Sequence, residues 1–262
     1  MKIHVALSIA GSDSGGGAGI QADLKTFAAL GVHGTTAITA ITAQNTLGVT
    51  AVQEMTPNIV QAQIAAVVED IGVQAAKTGM LSSTEIIEAV AHAVRRFGLH
   101  NLVVDPVMVA KGGAKLLRED AVTALRDLLI PLAMVVTPNL PEAEVLLERE
   151  IRTLDERRAA ARDLVELGAR AAIVKGGHAQ GDVTDVLWDG THMIELEGER
   201  ISTRRTHGSG CVFSAAITAE LAKGAELPAA VRTAKRFISS AIANSLEIGA
   251  GYGPVNPMFE RG

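Results

Sequence analysis

Short apolar runs alternate along this chain with longer stretches in which hydrophobic positions recur at helical spacing. The runs read as strands: IHVALSIAG from Ile3, TTAITAITA from Thr35, VQAAKTG from Val73, NLVVDPVM from Asn101, AMVVTPN from Ala133 and AAIVKGG from Ala171. They are almost wholly apolar, as strands covered on both faces are. Between them AGIQADLKTFAALG, PNIVQAQIAAVVEDIG, STEIIEAVAHAVRRFG and ERRAAARDLVELG read as helices, each closing on the glycine that helix C-termini favour. This alternation predicts an α/β fold with a mostly parallel central sheet and helices on both faces. Two segments break the pattern. LGVTAVQEM, from Leu47, reads as a short extra strand, half of a small β-flap. DVTDVLWDGTHMIELEGERIST, from Asp182, alternates around Asp189-Gly190 and signals a hairpin. Two helices, roughly 210–223 and 227–247, and a glycine-rich tail close the chain.

Composition narrows the function classes. The chain has 262 residues, no fixed-period repeat and no Pro/Ser linker, so a single domain over 1–262 is expected. Apolar residues at 48% and charged residues at 20% suit a globular enzyme. Aromatics are 3% and the net charge is -5, which leaves neither stacking platforms nor a basic footprint for nucleic acid. No stretch reaches the ~18 apolar residues of a membrane span. The apolar start runs into Asp13 and glycines, reading as strand and loop rather than signal peptide. One cysteine makes no internal disulfide, which points to a reducing, cytoplasmic setting.

In an open parallel sheet, ligands sit beyond the carboxyl ends of the strands. After the first strand comes GSDSGGGAG, with five glycines in nine residues, a loop whose backbone a ligand can approach closely. It fits neither the dinucleotide fingerprint nor the P-loop. Asp23, inside the following helix, reads either as an ordinary early-helix acid or as a ligand contact. Gln44 reads as a loop amide or as a partner for an aminopyrimidine or pyridine edge. Met80 is core filler or a thioether against a flat ring. Asp105, extended before Pro106, is a turn acid or a magnesium ligand. Asn139, Pro141 and Glu142 have the spacing of a helix start with a capping box. Lys175, at a strand end before two glycines, is solvated or touches phosphate.

THGSGC holds the sole cysteine. Gly208, Ser209 and Gly210 turn the chain into a helix near Cys211, whose first amides lack internal partners and carry partial positive charge. Such a helix start suits phosphate oxygens, and it is expected to lower the pKa of a thiol placed there. The alternative is a small cysteine packed near a tight turn.

Taken in order, GSDSGGGAGIQADLKTF, TAQNT, DPVM, TPNLPEAE, VKGGH and THGSGC resemble the hydroxymethylpyrimidine and hydroxymethylpyrimidine phosphate kinases of thiamin biosynthesis, members of the ribokinase-like superfamily. The resemblance runs through GAGYGPVN in the tail, where the family often carries histidines that this chain lacks. It implies a ribokinase-like domain with a small flap and no separate lid domain. It implies ATP-dependent phosphorylation of 4-amino-5-hydroxymethyl-2-methylpyrimidine and then of its monophosphate, giving the pyrophosphate. By the same resemblance Gly11, Asp23, Gln44 and Met80 line the pyrimidine pocket. Asn139 and Glu142 match an N-x-x-E element associated with magnesium and phosphate, with Asp105 near the metal and Lys175 near the ATP phosphates. Gly208, Ser209 and Gly210 form the anion hole with Cys211, which stands where many sugar kinases place an aspartate base. Partners are then ATP, Mg²⁺ and a small pyrimidine. The apolar flap edge points to a homodimer.

The nearest alternative is a pyridoxal or pyridoxine kinase of the same fold, since its substrate is also a flat ring with a hydroxymethyl arm. A dinucleotide-dependent dehydrogenase would share the alternation, but G-x-G-x-x-G is missing. A ligand sensor without turnover would have little use for Lys175, Glu142 and Cys211 together. Neither G-x-S-x-G nor a Cys/His cluster is present for serine-hydrolase or zinc chemistry.

Overall fold

Side chains on the central strands alternate between two cores. In β1 (Val5–Asp13) Ala6 faces one and Leu7 and Ile9 the other. In β7 (Ala172–Val174) Ile173 packs opposite Ala172 and Val174. This period of two buries both faces of the sheet, which is why the runs carry almost no polar residue. The computed structural model describes residues 3–118, 120–178 and 183–259.

The remaining elements follow in chain order. They are α1 (Gly19–Ala29), β2 (His33–Gln44), β3 (Val49–Glu54), α2 (Pro57–Ala66), β4 (Ala75–Thr78), α3 (Thr84–Phe97), β5 (Leu102–Val104) and α4 (Ala121–Ala124). After these come β6 (Val135–Val136), α5 (Leu140–Leu147), α6 (Leu154–Glu166), β8 (Asp185–Trp188), β9 (Met193–Leu196), α7 (Ser209–Ala222) and α8 (Leu227–Ala243). One nine-stranded sheet has the order β3-β2-β1-β4-β5-β6-β7-β8-β9. From β2 to β7 the pairing is parallel, and β3, β8 and β9 are antiparallel additions at the two edges. Helices α1, α7 and α8 cover one face, and α2 to α6 the other. The neighbours of β1 are β2 and β4, so the winding reverses there. That switch point opens a crevice at the strands' carboxyl ends.

The mostly parallel sheet with helices on both faces is as expected. LGVTAVQEM forms β3, an edge strand on β2, and Asp189-Gly190 closes the β8–β9 hairpin with Gly190 at φ +91. Several boundaries differ. The predicted strands from Asn101 and Ala133 stop pairing at Val104 and Val136, shortly before Pro106 and Pro138. The helix predicted over 57–72 ends in a wide turn over Val67–Ile71. The last helix stops at Ala243 rather than near 247. Helix α4 and the wide turn after it, Leu125–Leu129, were not read from the sequence, although Ala121, Ala124, Leu125 and Leu129 are buried at helical spacing. Among the described residues no helix is long and apolar enough to cross a membrane.

Candidate functional site

The glycine-rich loop after β1 is shaped from within by Asp13. Its carboxylate accepts from the amides of Gly15 (2.8 Å), Gly17 (3.1 Å) and Ala18 (2.9 Å), and meets His207 Nε2 at 2.9 Å. Burial alone would raise the Asp13 pKa. The His207 hydrogen bond and the Gly15 and Ala18 amides outweigh it and hold the carboxyl below its ordinary range. The loop is thereby folded against the start of α7. Gly208 caps that helix with φ +77, and a Cβ there would fall 1.8 Å from the Gly17 carbonyl oxygen. Glycine is required at Gly208 by both the backbone angle and the contact.

The loop and the helix start border a cavity of about 700 Å³ at the strands' carboxyl ends. Its lining includes Gly11, Gln44 and Met80 toward β1 and β2. A Cβ on Gly11 would lie 3.1 Å from Met80 Sδ, so the thioether packs closely on the bare glycine backbone. Thr42 Oγ1 donates to Gln44 Oε1 at 3.1 Å, and Gln44 Nε2 lies 3.4 Å from His207 Nε2.

Toward β5 and β7 the lining turns ionic. Lys175 Nζ lies 3.4 Å from Asp105 Oδ1, and Ser214 Oγ donates to Asp105 Oδ2 at 3.1 Å. Asn139 and Glu142 complete the expected capping box at the start of α5, with hydrogen bonds of 2.8 and 2.9 Å. The capping reading therefore holds, and Glu142 still borders the cavity. Burial and then the negative charge of Asp105 push Glu142 up to about 7, against the pull of Lys175. Burial works against charge on Lys175, yet Asp105 and Glu142 raise its pKa. Lys175 is thus an ammonium at neutral pH.

Helix α7 presents its first turn between these two regions. Val212 makes its first internal bond, to Gly208, so the Gly210 and Cys211 amides have no helix partner. The Ser209 amide is already given to the Thr206 carbonyl. A Cβ on Gly210 would be 3.4 Å from Lys175 Nζ. Helix start and ammonium therefore face the same space, a setting for an anion.

Two expectations are corrected. Asp23 does not border the cavity. It is completely buried, bonded to Lys77 Nζ at 2.9 Å and to Ser8 Oγ at 2.6 Å. Three residues of helix past the glycine loop carry its side chain under the floor, where a buried carboxylate needs a cation. The Cys211 thiol is not lowered by the helix start. Burial pushes it up to about 12, and the charges of Asp23 and Asp105 add to this, while Lys77 and the Gly19 amide pull the other way. Desolvation of the thiolate outweighs the helix.

Cys211, Gly208, Ser209, Gly210, Gly11, Gln44, Met80, Lys175, Asn139, Glu142 and Asp105 all border the one cavity. Sequence reading missed Asp13, His207 and Lys77. Asp13 stands inside the glycine loop and His207 directly precedes GSGC, so proximity to the motifs was the available signal. Nothing local marks Lys77, which belongs to an apolar strand.

Comparison with known proteins agrees with this geometry. A family model described as phosphomethylpyrimidine kinase matches residues 13–256. The hydroxymethylpyrimidine/phosphomethylpyrimidine kinase of Rhizobium meliloti is 56% identical over 257 residues, 96% of each chain. The pyridoxal kinase of Bacillus subtilis, solved as an ADP complex, superposes with a TM-score of 0.92 at 45% identity over 99% of both chains. Pyridoxal kinase from Staphylococcus aureus, in complex with AMP-PCP and pyridoxal, gives 0.91 at 35% identity, over 99% of this chain and 95% of that one. A glycine loop, a helix start with free amides beside Lys175 and a cavity at the switch point thus occur in a chain that belongs to the phosphomethylpyrimidine kinase family.

Proposed function

We propose that this protein, as one kinase unit, transfers the γ-phosphoryl group of ATP to 4-amino-5-hydroxymethyl-2-methylpyrimidine and then to the monophosphate. The observation that carries this reading is the junction of two unlike regions in one cavity. Gly11, Met80 and Gln44 offer bare backbone, a thioether and an amide, and Lys175 with the free α7 amides offers N–H donors for a phosphate beside the Asp105 and Glu142 carboxylates. The ring lies against the Gly11–Met80 wall, with the Gln44 amide on its edge. The γ-phosphoryl group sits at Gly210 and Cys211, where fixed N–H dipoles and Lys175 stabilise the charge that builds up in transfer. Cys211 sulfur lies at the meeting point and takes the hydroxymethyl proton. The monophosphate is already ionised, so its oxygen needs no base.

Magnesium fits the same corner. Asp105 and Glu142 are two carboxylates bordering the cavity, and their mutual repulsion is what a cation relieves. No cluster of three or more His, Cys, Asp or Glu is present among the described residues. Magnesium is commonly bound by one or two carboxylates, with water and nucleotide oxygens filling its shell. When bound, magnesium neutralises phosphate charge. Asp105 and Glu142 would hold it, with Asn139 fixing Glu142.

A second acceptor is favoured by the high similarity to two pyridoxal kinases. Pyridoxal lacks the exocyclic amine that a Gln44 amide would meet. A site built around such a bond rejects an analogue without it. An ADP-release assay with the alcohol, its monophosphate and pyridoxal tests the reading. Turnover of both pyrimidines above that of pyridoxal is the expected result, and pyridoxal alone as acceptor would overturn it.

A cytoplasmic setting is part of this reading, supported by a single cysteine that makes no internal disulfide. Strand β3 leaves Val52 exposed at a sheet edge, and Ile41 of β2, paired with Gln53, is exposed on the opposite face. Edges of this kind are commonly covered, and a second copy of the chain is the proposed cover. Sedimentation velocity is expected to give a dimer, and a monomer at micromolar concentration would remove that part.

A further inference from the structure

The protons around the Gln44 side chain can be placed one by one, and together they turn its amide one way. His207 Nε2 lies 2.9 Å from Asp13 Oδ2, and the same carboxylate accepts from the amides of Gly15, Gly17 and Ala18. A carboxyl so surrounded by donors, and held below its ordinary range, is ionised at neutral pH and has no proton to give. The proton between the two groups is therefore on His207 Nε2, whether the ring is neutral or cationic, and that nitrogen has no lone pair free to accept. The ring is also fixed in place. A Cβ on Gly17 would fall 2.5 Å from His207 Cδ2, so the imidazole packs on bare glycine backbone. The His207 amide donates to the Gly253 carbonyl and its own carbonyl accepts from the Val255 amide, each at 3.1 Å.

Gln44 Nε2 stands 3.4 Å from this same Nε2. With Gln44 Oε1 toward Thr42, two N–H groups meet there. Thr42 has one hydroxyl proton and two oxygens in reach, Gln44 Oε1 at 3.1 Å and the Ser12 carbonyl oxygen at 3.0 Å. A half-turn of the amide exchanges its oxygen and its nitrogen and leaves every other atom where it is. His207 Nε2–H then reaches both Asp13 and Gln44 Oε1, Thr42 donates to Ser12, and Gln44 Nε2 donates to Thr42 Oγ1. No donor is left facing a donor. An amide oxygen has two lone pairs and an amide nitrogen two protons. One acceptor and one donor therefore remain side by side on Gln44, which borders the cavity.

We infer that His207, held by Asp13, is a positioning residue that fixes the Gln44 amide with its carbonyl toward the imidazole, and so selects an acceptor edge carrying an amine beside a ring nitrogen. The amine donates to Gln44 Oε1 on the His207 side. The ring nitrogen accepts from Gln44 Nε2 on the Thr42 side. An edge with the opposite order sets donor against donor and acceptor against acceptor, which is discrimination by repulsion as well as by attraction. His207 acts through Gln44 and takes no part in phosphoryl transfer. The identity of the ring rests on the proposed reaction; the orientation of the amide does not.

Two measurements test this. Nitrogen NMR of the full chain with isotope-labelled histidines, without substrate, locates the imidazole proton; the His207 signals are those lost in His207→Gln. A proton on Nε2 at neutral pH is the expected result, and a bare Nε2 that accepts a hydrogen bond overturns the inference. Calorimetry then compares binding of 4-amino-5-hydroxymethyl-2-methylpyrimidine with binding of its analogue lacking the amine, on the parent, His207→Leu and His207→Gln. His207→Leu frees the amide to turn. The aminopyrimidine should then bind roughly five- to ten-fold more weakly, the usual worth of one hydrogen bond, and the analogue should lose less. His207→Gln keeps an N–H near the Nε2 position and should restore most of the difference. Equal losses for the two ligands would make His207 a packing residue and overturn the inference. A parent that binds neither pyrimidine, with the proton on Nε2, overturns the functional reading and leaves the amide orientation standing.

Discussion

Replacing Cys211 with alanine is expected to lower turnover of the pyrimidine alcohol by about 10²–10⁴-fold, the usual worth of a general base. Turnover of the monophosphate should fall far less, because its nucleophilic oxygen carries no proton at neutral pH. Two features of the site set this asymmetry. The sulfur stands in the first turn of α7 beside the amides that would hold the moving phosphoryl group. The thiol, pushed up to about 12 chiefly by burial, keeps a proton it has accepted. The same value leaves little thiolate at neutral pH, so turnover of the alcohol should rise with pH through the alkaline range. Steady-state assays of both acceptors on both proteins check this. Equal losses on the two acceptors would show that Cys211 serves packing or phosphate binding rather than proton transfer.

The second large effect is on stability. Lys77→Met removes the one cation bonded to Asp23 among the described residues and leaves its carboxyl unpaired in a site with no solvent access. Breaking a buried pair in this way costs about 3–5 kcal/mol. Adding Asp23→Leu removes the orphaned charge and should restore most of that loss. Urea unfolding of parent, single and double variants measures it. A single variant as stable as the parent would mean that water reaches the pair, contrary to its complete burial.

Some of the site was legible because its signals are local. The capping box at Asn139 and Glu142 spans four residues, and α5 begins there. The glycines around Gly11 and Gly208 reported backbone conformations that side chains exclude, and those segments fold against each other. Gln44 and Met80 stand at the ends of strands, where ligands to such sheets collect, and both border the cavity. Asp23 was misplaced for a related reason. It sits close to the glycine loop in sequence, but helix geometry turns its side chain downward, to a lysine 54 positions away.

What the sequence by itself determined is the alternation of strand and helix, the turn chemistry, and which residue types stand at strand ends. These follow from periodicity and backbone sterics, which act over a few residues. Tertiary structure alone decided the electrostatics: the Asp13–His207 contact across 194 positions, the Asp23–Lys77 pair, and the raised thiol of Cys211. Desolvation and Coulomb attraction depend on distance through space and on how much water is excluded, and neither is a function of separation along the chain.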